Sequence, residues 1–142
     1  MTLVTAKNIG LVMALSPAPN SLAQLDDIVS KGLPKQALKA CVAHIFNSAE
    51  DRRQLLNKII PETTYRRRRD CLSARESGRT ERLARVFATA AHVWSSDTDA
   101  QIFLTTSHPL LQGETPLDVS MSEVGARRVE ELLWKLFYGV AV

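Results

Sequence analysis

Apolar positions recur at three- and four-residue spacing along most of the chain, while alternation of period two hardly occurs. The pattern predicts a series of short helices and an all-α fold. Ser21 precedes a one-sided set, Leu22, Leu25, Ile28 and Val29, so a capped helix should run to about Ser30. Gly32 stops it, and Pro34 falls in the first turn of a helix carrying Leu38, Val42, Ile45 and Phe46. Ser48 can cap a third helix with Leu55, Leu56 and Ile59 inward, and Pro61 can start a fourth over 62–71. Ser73-Ala74-Arg75-Glu76 is a capping box. It opens a long helix whose stripe is Leu83, Phe87, Ala90 and Trp94.

Beyond Ser95, Asp97 can cap a short helix holding Ile102, Phe103 and Leu104. Residues 108–114 read as a turn broken by Pro109 and Gly113, and Thr115-Pro116 as a cap followed by a first-turn proline. Ser120-Met121-Ser122-Glu123 has the form of a second capping box. The helix after it would bury Gly125, Val129, Leu132, Leu133 and Leu136 and end at Gly139. Residues 1–20 fit either a helix or an extended arm.

Charge divides the chain. Residues 1–96 hold 15 Lys and Arg against 8 Asp and Glu, a net +7, whereas residues 97–142 hold 3 against 7, a net −4. A basic front and an acidic back suggest two surfaces with different partners, the first of them suited to an anionic polymer. With 142 residues, 45% of them hydrophobic, the chain is long and apolar enough for a packed core. No stretch reaches the roughly 18 uncharged apolar residues of a membrane span. Pro17 spoils the only candidate leader cleavage site, and two cysteines, Cys41 and Cys71, suit reduced thiols. We therefore expect a cytoplasmic protein without a membrane partner.

Two constellations carry the function. Helix 48–59, the turn at Ile60-Pro61 and the following helix have helix-turn-helix spacing, in which the second helix enters the major groove. Glu62, Thr63, Thr64 and Arg66 would then face base edges, while Arg67, Arg68 and Arg69 would hold phosphates. The plainer reading is a solvated basic face. Against it, residues 52–85 hold 11 Lys and Arg but only 4 Asp and Glu, too few for internal pairing. On the terminal helix, 100° per residue places Arg127, Glu131, Trp134 and Tyr138 opposite the core face. Exposed Trp, Tyr and Arg are enriched at interface hot spots, although Trp134 could equally fold back on its own domain. No catalytic or metal constellation is visible: Cys41 and His44 lack a second ligand pair, and no nucleophile accompanies His92 or His108.

The order of several short segments resembles the Xre-type antitoxins of RES–Xre toxin–antitoxin systems, which end in an Xre/MbcA/ParS-like toxin-binding domain. The likeness rests on Gly32-Leu33-Pro34, on Ile60-Pro61-Glu62-Thr63-Thr64-Tyr65-Arg66-Arg67-Arg68, and on Leu72-Ser73 with Glu76-Ser77, Arg79 and Arg82 to Val86. It continues through Ala100, Phe103-Leu104, His108-Pro109, Thr115 to Asp118, Gly125, Val129 and Gly139-Val140. Thr80 and Phe103 depart from it, where the family usually has an apolar residue and often a tryptophan.

The resemblance implies an N-terminal Cro/Xre-like helix-turn-helix bundle that binds operator DNA and forms a homodimer, followed by a small helical toxin-binding domain. Here these would be residues 21–96 and 97–142, after an undefined segment 1–20. The partner would be a RES-domain, NAD-consuming toxin whose active site the antitoxin occludes. The antitoxin itself would be no enzyme and would need neither cofactor nor metal. A toxin site for an anionic dinucleotide would be basic, so Glu130 and Glu131 would favour it. The expected toxin-binding set is Arg127, Glu130, Glu131, Trp134, Tyr138, Gly139 and Val140. The alternative is a stand-alone helix-turn-helix regulator with another protein partner.

Overall fold

A computed structural model describes residues 3–139, and every regular element among them is helical. The open question at the N-terminus resolves to a helix, α1 (Ala6–Val12). Thr5 and Asn8 form a reciprocal cap: the Asn8 N–H donates to Thr5 Oγ1 and the Thr5 N–H to Asn8 Oδ1. Asn here takes the part that Glu or Gln usually plays.

Then follow α2 (Leu22–Lys31), α3 (Lys35–Ile45) and α4 (Ala49–Ile59), with Ser21 and Ser48 capping α2 and α4 as expected. Of the predicted α2 face, Leu25 is buried but Leu22 is exposed. The fourth helix is shorter than expected. α5 covers Glu62–Arg67 only, and Arg68 leaves it in an extended conformation.

The long helix α6 (Ala74–Trp94) opens with the predicted capping box of Ser73 and Glu76. It packs against α1, α2, α3 and α4 and against two later helices, α7 (Asp97–Thr105) and α9 (Glu123–Tyr138). A helix enclosed in this way is buried nearly all round: Ser77, Thr80, Leu83, Ala84, Val86, Phe87, Ala88, Thr89 and Ala90 are all inside. The buried hydroxyls are satisfied along the helix, with Thr80 Oγ1 donating to the Glu76 carbonyl and Thr89 Oγ1 to that of Arg85. Thr80 thus occupies a core position without an orphaned polar atom. Trp94, expected to complete the buried stripe, is 41% exposed because it is the last residue of α6, next to a left-handed Ser95.

Ser96, rather than Asp97, caps α7. Gln101 on α7 donates from Nε2 to the His44 carbonyl, tying α7 to the end of α3. A single 3₁₀ turn at Pro109–Leu111 and the short α8 (Pro116–Val119) lead to α9. Thr115 and Pro116 start α8 as predicted. The second capping box does not form. Ser122 Oγ accepts from the Gly125 N–H, whereas Ser120 Oγ, fully buried, donates to the Pro116 carbonyl. Gly125 is required where α8 and α9 meet, because an added Cβ would collide with the Val119 carbonyl oxygen. One cluster of buried side chains runs from Val4 to Leu133, so the boundary expected at 96/97 falls at the end of a helix that both halves share.

Candidate functional site

The basic face begins at the turn between α4 and α5. Asn57 Oδ1 accepts from the Glu62 N–H at 3.0 Å, so α4 itself caps the helix after the turn. Tyr65 anchors α5: its hydroxyl donates to the Lys35 carbonyl at 3.2 Å, and Lys35 Nζ stands 4.5 Å above its ring. None of the six α5 residues is buried. Thr63 is exposed and Thr64 half-buried.

The four arginines 66–69 have three different environments. Arg66 is paired with Glu62 one turn earlier at 2.7 Å, both exposed, an arrangement of small energetic consequence. Arg67 and Arg69 are exposed and form no ion pair among the described residues. Arg68 turns inward. Its Nε and Nη2 donate to the two carboxylate oxygens of Glu76 at 3.0 and 2.8 Å, with the carboxylate only 12% exposed. The bidentate bonds from Arg68 hold the Glu76 carboxyl below the usual carboxylate range. Of the expected phosphate contacts, Arg68 is therefore already engaged within the protein.

The other half presents an aromatic edge. Trp134 and Tyr138 adjoin on α9 with ring centroids 4.9 Å apart, as the helical spacing predicts. The edge continues through Phe137, 5.0 Å from Tyr138, to His92 of α6, 5.0 Å from Phe137. Arg127 and Glu131 are exposed beside it, Arg127 at 4.0 Å from Glu123 and Glu131 paired with Lys135 at 3.2 Å. Gly139 adopts the left-handed conformation that closes α9, and Val140 lies outside the described residues. Glu130 departs from the expected surface set. It faces α6 and accepts from Arg85 Nε at 2.5 Å.

An apolar groove of about 460 Å³ runs alongside, lined mainly by Trp94, Ile102, Phe103, His108 and Leu136, with Asp99 on its rim. Trp94 and Phe103 lie 5.9 Å apart across it. Residue pattern alone puts Trp94 in the core stripe and leaves Phe137 unmarked. Ile102 is exposed, although Phe103 and Leu104 beside it on α7 are both buried. Phe137, next to Tyr138 and three after Trp134, is likewise off the buried stripe.

An ionic network joins the two halves. Arg85 is bonded to Glu81 at 2.9 Å, to Glu130, and to Glu123 at 3.4 Å, and Arg82 to Glu123 at 3.0 Å and to the Met121 carbonyl. Burial pushes the Glu81 carboxyl above its ordinary value despite Arg85 beside it.

The histidines have local tasks: His44 Nδ1 is 2.9 Å from the Ala40 carbonyl, and His108 Nδ1 accepts from the Leu110 N–H at 3.1 Å to cap the 3₁₀ turn. Among the described residues, no group of three or more His, Cys, Asp and Glu could hold a metal ion. Nor is any described helix long and apolar enough to cross a membrane.

Residues 89–139 match the family model described as the antitoxin Xre/MbcA/ParS C-terminal toxin-binding domain. The match supports the resemblance seen in the sequence and contains the aromatic edge on α9 and every groove residue named above. No curated protein matches the chain.

Proposed function

We propose that the protein is the antitoxin of a toxin–antitoxin pair, that its partner is a RES-domain toxin that consumes NAD, and that it also binds operator DNA as a homodimer. The observation that carries the reading is the position of the exposed apolar surface. Trp94 and Ile102 are exposed in the groove that Leu136 of α9 also lines, and Phe137 and Tyr138 are exposed at the end of the same helix, all inside the segment matching a toxin-binding domain. Large apolar side chains left exposed around a groove are characteristic of a protein-binding surface. Arg127, Glu131, Trp134, Tyr138 and Gly139 form its α9 side and the groove its α7 side. Asp99, exposed at the groove, supplies an acidic group suited to a site built for an anionic dinucleotide. Val140 is retained in the proposed contact set from the sequence alone.

For DNA, the reading keeps Thr63, Thr64 and Arg66 as base readers and Arg67 and Arg69 as phosphate contacts. The supporting features are the short turn between α4 and α5 and, beside it, the two arginines that form no ion pair among the described residues.

The test is NAD consumption by a purified RES-domain toxin encoded beside this gene. Adding the intact protein should stop it. Ile102→Glu and Trp134→Ala should restore it without abolishing DNA binding, and Ile102, 57% exposed, can change without loss of the fold. Undiminished NAD loss with excess intact protein would overturn the antitoxin reading. If DNA binding then persisted, the protein would be a stand-alone helix-turn-helix regulator.

A further inference from the structure

Four consecutive arginines invite the view that all four meet the same polyanion. The backbone says otherwise. Arg68 sits at φ −66° and ψ 128°, an extended conformation that ends α5, so its side chain no longer follows the helical spacing of Arg66 and Arg67. With Arg68 turned inward to Glu76, its neighbours Arg67 and Arg69 are left on the outside.

The segment that follows is fastened at both edges. Leu72 N–H donates to the Leu33 carbonyl at 2.8 Å and Lys35 N–H to the Asp70 carbonyl at 3.0 Å, an antiparallel bridge between Pro34 and Cys71. The Leu33 N–H in turn donates to the buried Ser77 Oγ on α6. Gly32 makes the approach possible, since a Cβ there would stand 2.6 Å from the Leu72 carbonyl oxygen at a backbone φ of +105°. Glu76 closes the assembly from below. One carboxylate oxygen accepts from both the Ser73 N–H and Arg68 Nε, the other from Arg68 Nη2.

We infer that Glu76 and Arg68 are positioning residues for a polyanion-binding strap, holding Arg67 and Arg69 outward toward nucleic-acid phosphates while touching none themselves. The inference rests on the DNA reading above and divides the arginine run into one anchor and two contacts. The same carboxylate that caps α6 sets the direction in which the strap presents its charge. Arg is needed at the anchor because only its planar fork can engage both carboxylate oxygens at once.

The experiment measures binding of the full chain to a fluorescein-labelled duplex of arbitrary sequence, about 24 base pairs long, at salt concentrations from about 50 to 200 mM. Thermal unfolding of each variant is followed in parallel. Glu76→Gln is the decisive variant because the two views predict opposite signs. Simple electrostatics says that deleting a carboxylate beside DNA and freeing Arg68 tightens binding. The positioning role says that binding weakens, by roughly threefold to tenfold, although the net charge has become more positive. Arg68→Lys keeps the charge, loses the bidentate grip, and should weaken binding similarly, which serves if Glu76→Gln unfolds.

The salt slope separates contact from anchor. Arg67→Ala and Arg69→Ala should each reduce the log–log slope by about 0.9, the value for one lost phosphate contact. Arg68→Ala should weaken binding with the slope unchanged. Tighter binding by Glu76→Gln, or a slope reduced by about 0.9 in Arg68→Ala, would overturn the positioning role and make Arg68 a direct contact. Slopes unchanged in both Arg67→Ala and Arg69→Ala would instead overturn the DNA reading itself.

Discussion

Arg85 reaches across from α6 and places its Nε 2.5 Å from Glu130 Oε1 on α9. The pair joins the basic and acidic halves of the sequence, and both side chains are largely shielded, at 20% and 26% exposure. Glu131, the next residue, is exposed and pairs with Lys135 on its own helix. Two glutamates adjacent in the chain therefore have different tasks.

Chemical denaturation should separate them. Glu130→Ala leaves a shielded guanidinium short of one partner and should cost about 1–3 kcal/mol. Glu131→Ala removes an exposed pair and should change stability by no more than about 0.5 kcal/mol. Equal losses from both variants would refute the distinction.

Glu81 gives a pH dependence of unusual sign. Burial raises its carboxyl in the folded state above the unfolded value, so between those two values the native protein binds the proton more tightly. Its contribution makes the protein less stable as pH rises through that window, and the deficit persists at neutral pH. Glu76 behaves oppositely: Arg68 lowers its folded value, so its stabilisation is present at neutral pH and lost as pH falls through the depressed value. Glu81→Gln should accordingly flatten the decline in unfolding midpoint toward neutral pH. Glu76→Gln should lower the neutral midpoint and make acid less damaging. Identical midpoint–pH curves for these two variants would contradict both assignments.

Gly125→Ala should be among the most damaging single substitutions. The added methyl would strike the Val119 carbonyl oxygen, and backbone rather than a flexible side chain would have to yield. A cost of about 3 kcal/mol or more is expected, with helical content lost on mild heating. Gly78→Ala provides the control, because nothing lies within 4 Å of the point where its methyl would sit. It should be neutral or stabilising, by up to about 1 kcal/mol, since alanine is the better helix former.

The two cysteines should differ in reactivity. Cys41 is fully buried, and desolvation pushes its thiol up to about 12, whereas Cys71 is exposed on the strap. A chromogenic disulfide reagent at neutral pH should label Cys71 promptly and Cys41 only on unfolding. Rapid labelling of both in the native protein would show that α3 does not close over Cys41 as described.

Local residue order was enough for the helical class, the caps at Ser21, Ser48, Ser73 and Thr115, the stops at Gly32 and Gly139, and the adjacency of Trp134 and Tyr138. Each of these depends on contacts within about one turn of helix. The expected helix 62–71 stops at Arg67, where Arg68 turns to Glu76 eight residues away and residues 70–72 bond to the backbone of 33–35. Trp94 lies outside the expected core because helical spacing fixes a direction but not whether a neighbour lies in that direction. Glu130 belongs to the expected toxin-binding set, yet Arg85, 45 positions earlier, holds it against α6. Long-range packing thus selects which charges are spent inside the fold and which apolar side chains remain outside it. Both choices depend on groups distant in sequence, and the functional surfaces are made of what remains.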